Sequence, residues 1–429
     1  MKRPLISTAV LALGLGLTTA ACGGGGPDAE EARGSTGPIT IWTSNNPEEI
    51  AWADQMVKAW NAENPDEEVK AQEIPAGKTS EEVISAAITA GNAPCLVFNT
   101  SPAAVPQFQK QGGLVALSDF EDGDDYVEER SGDLAGQYAS SDGKYYQIPW
   151  KQNPVMIFYN KDLFEKAGLD PENPELATYD EFLATSKKLV DAGVSDAAIY
   201  PAPTSEFFQS WFDFYPLYAA ESGGQQTVED GQATFDDEAG QAVWDFWAQM
   251  YADGYSPKEK YDGDSFADAK AAMAIVGPWA VKVYGESVDW GVVPVPTSQG
   301  TPAEETYTFS DAKNIGLYSA CENQATAWEV MKFATSEEQD GQLLELTGQM
   351  PIRDDLTGTY PDYFEQNPAY ETFADQASRT VEVPNVANSV EIWQEIRDSY
   401  SKSVIFGEEP VADALSAAAG QANELADES

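Results

Sequence analysis

The chain has 429 residues, with 72 acidic side chains against 24 basic ones, no histidine and a formal charge of -48. That imbalance repels polyanions and excludes nucleic acid as a partner, while screening leaves a small ligand free to bind in a private pocket. The missing imidazole removes Ser/His/Asp and Cys/His nucleophile arrangements and every His-ligated zinc or iron site.

The opening 26 residues carry a positive start at Lys2 and Arg3, a short apolar run from Leu5 to Leu17, and small residues before Cys22. This order suits an export signal over 1–21 and is too short and wrongly flanked for a membrane span. The stretch TTAAC resembles a bacterial lipobox, which implies lipid on Cys22, a flexible tether over 22–38 and a body held at the outer face of the cytoplasmic membrane. The alternative is a plain secretory signal cut near Ala21, with Cys22 left as a free thiol. Residues 39–429 exceed one ordinary core of ~100–200 residues, so two are expected. A hydrophobic content of 42% makes the body globular despite its charge. Cys95 and Cys321 lie in this exported body, where oxidation is permitted, so a Cys95–Cys321 disulfide is expected; two buried thiols on separate strands would also satisfy the sequence.

ITIW at 39–42 predicts a strand, and Asn46 caps a helix with Pro47, Glu48 and Glu49 in its first turn and Ile50, Ala53, Val57 and Trp60 on one face. EVKAQEI at 68–74 is the next strand, a helix over 81–90 ends at Gly91, and CLVF at 95–98 is a buried strand. Strands alternating with helices imply a mostly parallel sheet, with ligands at the strands' carboxyl ends, where the loops at 43–46 and 99–102 fall. YYQIPW at 145–150 and PVMIFYN at 154–160 are extended runs, and Asn160 caps a short helix. Thr178 and Glu181 form a capping box. Aromatic residues crowd 207–220, and AAMAIV at 271–276 is a strand that breaks at Gly277 and Pro278 into Trp279. WGVVPVP at 290–296 and TFSDAKNIGLYS at 308–319 are further strands. Helices follow over 324–334, from 337, and from 410 to the end. The acidic stretches 121–125 and 261–268 lack the spacing of a calcium loop, so no metal or cofactor is expected.

YYQIPW, FYNKDLFEKAGL, TYDEFL, AAMAIVGPWAV, WGVVPVP and IWQEI, in this order and spacing, resemble the extracytoplasmic solute-binding proteins of sugar ABC transporters, the maltose-binding type. The resemblance implies an α/β, two-lobe periplasmic-binding-protein-like fold of type II. Each lobe is then a mostly parallel sheet flanked by helices, lobe 1 over 39–150 plus 309–378 and lobe 2 over 151–308 plus 379–429, joined by hinge segments. It further implies a monomer that closes on a sugar and delivers it to ABC transporter permease subunits without catalysis. Carried over by position, Trp279 and Trp393 are plates for a sugar ring, Ser44 and Asn46 meet hydroxyls, Asn153 is a polar contact in the first crossover, and Trp211 or Tyr215 closes over the ligand. The chain departs from the family where Cys95 stands for an aspartate and where Phe309, Ser310 and Asp311 replace a glycine-rich crossover. Asp311 is a candidate contact there, or only a partner for Lys313.

These residue types suit a saccharide, whose apolar ring face wants a flat aromatic surface and whose hydroxyls must be matched at roughly 1–3 kcal/mol per unsatisfied group. Two other readings stay open. A surface glycosidase needs two carboxylates about 5–9.5 Å apart, and no pair is singled out. A binder of a peptide, polyamine or glycerophosphodiester would want several charged pocket groups.

Overall fold

The strand Ile39–Thr43 alternates buried and half-buried residues, and the turn after it is closed by Asn46, whose Oδ1 accepts from the backbone N–H groups of Glu48 and Glu49, each at 3.0 Å. The helix it starts, Pro47–Glu63, buries Glu49, Trp52, Ala53, Met56 and Trp60. That stripe is rotated from the predicted one: Ile50 and Val57 sit at its margin. The computed structural model describes residues 29–427 apart from Lys78, Ala202 and Glu286, so the expected export signal and the expected lipid site Cys22 lie outside the described residues.

Two sheets carry the molecule. The first has six strands in the order Met350–Pro351, Ile148–Gln152, Lys313–Leu317, Leu96–Thr100, Ile39–Thr43, Val69–Glu73. Ile148–Gln152, Leu96–Thr100, Ile39–Thr43 and Val69–Glu73 run one way; the other two are reversed. The second has four, in the order Trp290–Val293, Met156–Asn160, Ala271–Val276, Ala197–Ile199, with only Met156–Asn160 reversed. Helices flank both, as a type II binding-protein fold requires. Cys95 and Cys321 are bridged, with Cα atoms 4.5 Å apart, linking the ends of the neighbouring strands Leu96–Thr100 and Lys313–Leu317.

Three extended segments cross between the sheets and bond to one another. Asn153 and Val155 donate to the carbonyls of Ser310 and Phe309, at 2.7 and 3.1 Å, and Ser310 donates to Val381 at 2.9 Å. The predicted single strand over 308–319 is therefore two, Thr308–Phe309 and Lys313–Leu317, one in the crossing and one in the first sheet. They are separated by Asp311 at φ +42°, a left-handed conformation that costs a non-glycine residue energy and breaks the ladder.

Trp52, Phe98 and Trp150 pack under the first sheet with ring centroids 5.1–5.7 Å apart. A second, aromatic-rich core fills the other lobe and holds the buried ion pair Arg397–Asp213 at 2.7 Å; Arg130–Asp340, also at 2.7 Å, is buried beside the first sheet. A third core straddles the division, joining Met156 and Phe158 of the second sheet to Leu344, Met350, Phe364 and Phe373.

Candidate functional site

Beside the crossing segments, at the carboxyl ends of Ile39–Thr43 and Leu96–Thr100, lies a cavity of about 410 Å³. Its floor is organised by Glu49, which is 6% exposed. That carboxylate accepts from Lys151 Nζ at 2.5 Å, Ser44 Oγ at 2.7 Å, Gln349 Nε2 at 2.9 Å and the Asn99 side-chain amide. Burial alone would raise its pKa, but Lys151 and the donated hydrogen bonds outweigh burial and hold it at about 2. Burial brings Lys151 down from its ordinary value, against the upward pull of Glu49.

A second pair, Asp311 Oδ1 and Lys313 Nζ at 2.7 Å, borders the floor. Asn153, 3% exposed, donates its amide to the Asp311 carbonyl at 3.2 Å, and its buried Oδ1 has no partner among the described residues. A buried acceptor in that state wants a donor, and the cavity is where one can come from. The opposite wall is helix Trp279–Tyr284, reached from Ala271–Val276 through Gly277 and Pro278. The Trp279 indole folds back over Gly277, where an added Cβ would stand 2.1 Å from the ring, and Phe212 meets it edge-on at 6.3 Å.

Ser44, Asn46, Asn153, Asp311 and Trp279 thus converge on one cavity. Trp211, Tyr215 and Trp393 do not line it, which departs from the expectation of Trp393 as a ring plate and of Trp211 or Tyr215 closing over the ligand. They are buried around Phe309, with Tyr215 and Trp393 centroids 4.9 Å apart and the Tyr215 hydroxyl donating to the Glu382 carbonyl at 2.7 Å. Their core also takes in Ala103 of the turn Pro102–Ala104, which comes from the first lobe and packs on helix Ser389–Tyr400. Aromatic packing and a neighbouring lobe, neither visible in spacing, cover these rings.

Glu49, Asn99, Lys151, Lys313, Gln349 and Lys282 also line the cavity and are absent from the predicted set. Lys151 carried the most legible signal, a charge directly after the predicted extended run 145–150 and inside the strand Ile148–Gln152 that the structure shows. Glu49 read only as a first-turn acid, a sufficient role in itself. A larger cavity, about 650 Å³, opens on the other side of the same crossing strand: Gln152 and Met156 line it, whereas Lys151 and Asn153 face the smaller one, following the period-two alternation of a strand. The smaller cavity is the candidate site because its polar groups converge on one space opposite a flat ring. Among the described residues no group of three or more acids or cysteines is placed to hold a metal, and no helix is long and apolar enough to cross a membrane.

Two α/β sheets, three crossing segments and a ligand-sized cavity beside them define a solute-binding protein of type II. The family model described as bacterial extracellular solute-binding protein matches residues 44–341, and the chain belongs to that family. It is 26% identical over 377 residues to the diacetylchitobiose binding protein DasA of Streptomyces coelicolor, 83% of each chain. It is 25% identical over 280 residues to the maltodextrin-binding protein MdxE of Bacillus subtilis, 61% of this chain and 62% of that one. Among solved structures, the cyclic alpha-maltosyl-1,6-maltose binding protein of Arthrobacter globiformis matches in fold with a TM-score of 0.78 at 23% identity, over 92% of this chain and 100% of that one.

Proposed function

We propose that this chain is the extracytoplasmic substrate-binding component of an ABC importer, and that it binds a neutral short oligosaccharide by lobe closure and hands it unaltered to the permease. The observation that carries the reading is the cavity wall itself. Its charges balance: Glu49–Lys151 and Asp311–Lys313 are paired and Lys282 feels the opposite charge of Glu48, so in a chain of charge -48 the site offers hydroxyl partners rather than a net field. Trp279 faces that wall as the plate for a ring. The volume of about 410 Å³ falls within the ~300–1,000 Å³ of small-molecule sites. The named sugar binders among the relatives support the same ligand class.

The paired state of the charges disfavours the other readings. A polyamine would need an excess of carboxylates on the wall and a phosphodiester an excess of lysines, and the wall holds three of each. A glycosidase needs a carboxyl kept protonated as general acid, and Glu49 sits at about 2. In this reading lobe 1 (39–150 plus 309–378) and lobe 2 (151–308 plus 379–429) are the bodies that move, the protein works as a monomer, and lipid on Cys22 keeps it beside the permease. Titration calorimetry of the purified chain against chito-, malto- and arabino-oligosaccharides and their monomers tests this. Saturable heat with at least one, and unchanged ligand recovered afterwards, is expected; no heat with any, or a cleaved product, would sink it.

A further inference from the structure

Helix Trp279–Tyr284 belongs to the second lobe, and its i, i+3, i+4 spacing sets Trp279, Lys282 and Val283 along one face toward the cavity. Lys282 has no carboxylate partner in hydrogen-bond reach among the described residues; its ammonium donates to the carbonyls of Glu345 at 3.1 Å and Leu346 at 2.6 Å. Those carbonyls end helix Glu337–Thr347, which packs on Pro47–Glu63 and leads into Met350–Pro351 at the edge of the first sheet. The last carbonyls of a helix lack intrahelical partners and carry the negative end of its dipole. Gly348, left-handed at φ +71°, spends its N–H on Leu344, and the Gln349 N–H turns to Thr347 Oγ1, which leaves the Glu345 and Leu346 carbonyls for a donor from outside. Burial brings Lys282 below its ordinary pKa, and Glu48, in the first turn of Pro47–Glu63, pulls it back. Two elements of the first lobe therefore attract one cation of the second.

We propose that Lys282 is the closure residue of this cleft, a positioning side chain that ties lobe 2 to lobe 1 across the cavity mouth. Part of the grip on a ligand then comes from a contact between protein groups alone. The inference rests on the lobe-closure reading above but not on which ligand is bound. The latch seizes the chain immediately ahead of Thr347 and Gln349, both on the cavity wall, and Gln349 in turn bonds Glu49. A latch adds the same increment for every ligand, whereas a ligand contact discriminates among them.

The test compares the full chain with Lys282→Met, which keeps the length and loses the donors, and with Lys282→Arg, which keeps donors. Small-angle X-ray scattering without ligand should show a larger radius of gyration for the methionine variant and no change for arginine. With each oligosaccharide that wild type binds in the calorimetric panel, the methionine variant should dissociate about fivefold faster or more, and associate at a near-normal rate. Scattering and dissociation both equal to wild type would overturn the proposal. So would a loss confined to one saccharide with unchanged scattering, which would make Lys282 a ligand contact. Failure of wild type to bind any saccharide would count against the sugar reading alone, because the scattering comparison needs no ligand.

Discussion

Glu49 and Lys151 meet at 2.5 Å beneath the cavity, one 6% and the other 1% exposed. Neither could hold its charge there alone. Removing one partner of such a pair costs about 3–5 kcal/mol, because the other is left charged and unpaired. Lys151→Met should lower the unfolding free energy by about that much at pH 7 in a urea titration, and adding Glu49→Gln should recover part of it. The pair also sets a pH response. Because the Glu49 carboxyl falls from 4.5 to about 2 on folding, its stabilisation is complete above 4.5 and is lost as the pH falls toward 2. Melting temperature should drop across that window less steeply in the double variant.

The seat of the Trp279 indole depends on a residue without a side chain. Trp279→Ala should weaken oligosaccharide binding tenfold or more, about 1.4 kcal/mol, by calorimetry. Gly277→Ala should weaken binding with the tryptophan intact, since the new Cβ would stand 2.1 Å from the indole and push it from its seat. Equal affinity in the glycine variant would show that the ring's position is not set from beneath.

Trp393, 1% exposed, packs against Trp211 and Tyr215. Its replacement by alanine should cost about 3–5 kcal/mol of unfolding free energy, as for a large core side chain. A variant with normal stability and lost affinity would instead return Trp393 to the ligand. Because Ala103 of the opposite lobe belongs to the same core, lobe opening should raise acrylamide quenching of tryptophan fluorescence, and saturating ligand should lower it.

Glu382 responds to pH in the opposite sense from Glu49. It is buried at the crossing segments, accepting from Ala312 N–H at 2.9 Å and Val383 N–H at 2.7 Å, with Lys313, Asp311, Tyr138 and Tyr215 as the titratable groups around it. Burial pushes it up to about 8, outweighing those N–H groups and Lys313. A carboxyl raised from 4.5 contributes stability that is full below 4.5 and is lost as the pH climbs through 8. Wild type should therefore lose melting temperature between pH 4.5 and 8, and Glu382→Gln should flatten that loss. Parallel curves for the two proteins would rule out this titration.

The elements were legible where chemistry is local. Asn46 with Pro47 marks a helix start from sequence and performs it with two bonds at 3.0 Å, and Gly277 with Pro278 marks the break that presents Trp279. The spacing over 308–319 predicts one strand because nothing in TFSDAK announces that Asp311 adopts a left-handed φ; the neighbouring segments at Asn153 and Val381 impose the crossing. Lys151 and Glu49 are not legible as site residues in the sequence because their value lies in each other, 102 positions apart.

By itself the sequence determined what is set by neighbours along the chain: the acidic, imidazole-free character of the protein, its capped helices, its strand breaks, and the collinear motifs that mark its family. The tertiary structure alone decided which aromatic rings face a cavity and which are covered, which buried charges cancel, and which lysine reaches the other lobe. Burial and pairing energies depend on distance in space, and several ångströms separate a plate from a core residue where spacing in the chain looks the same.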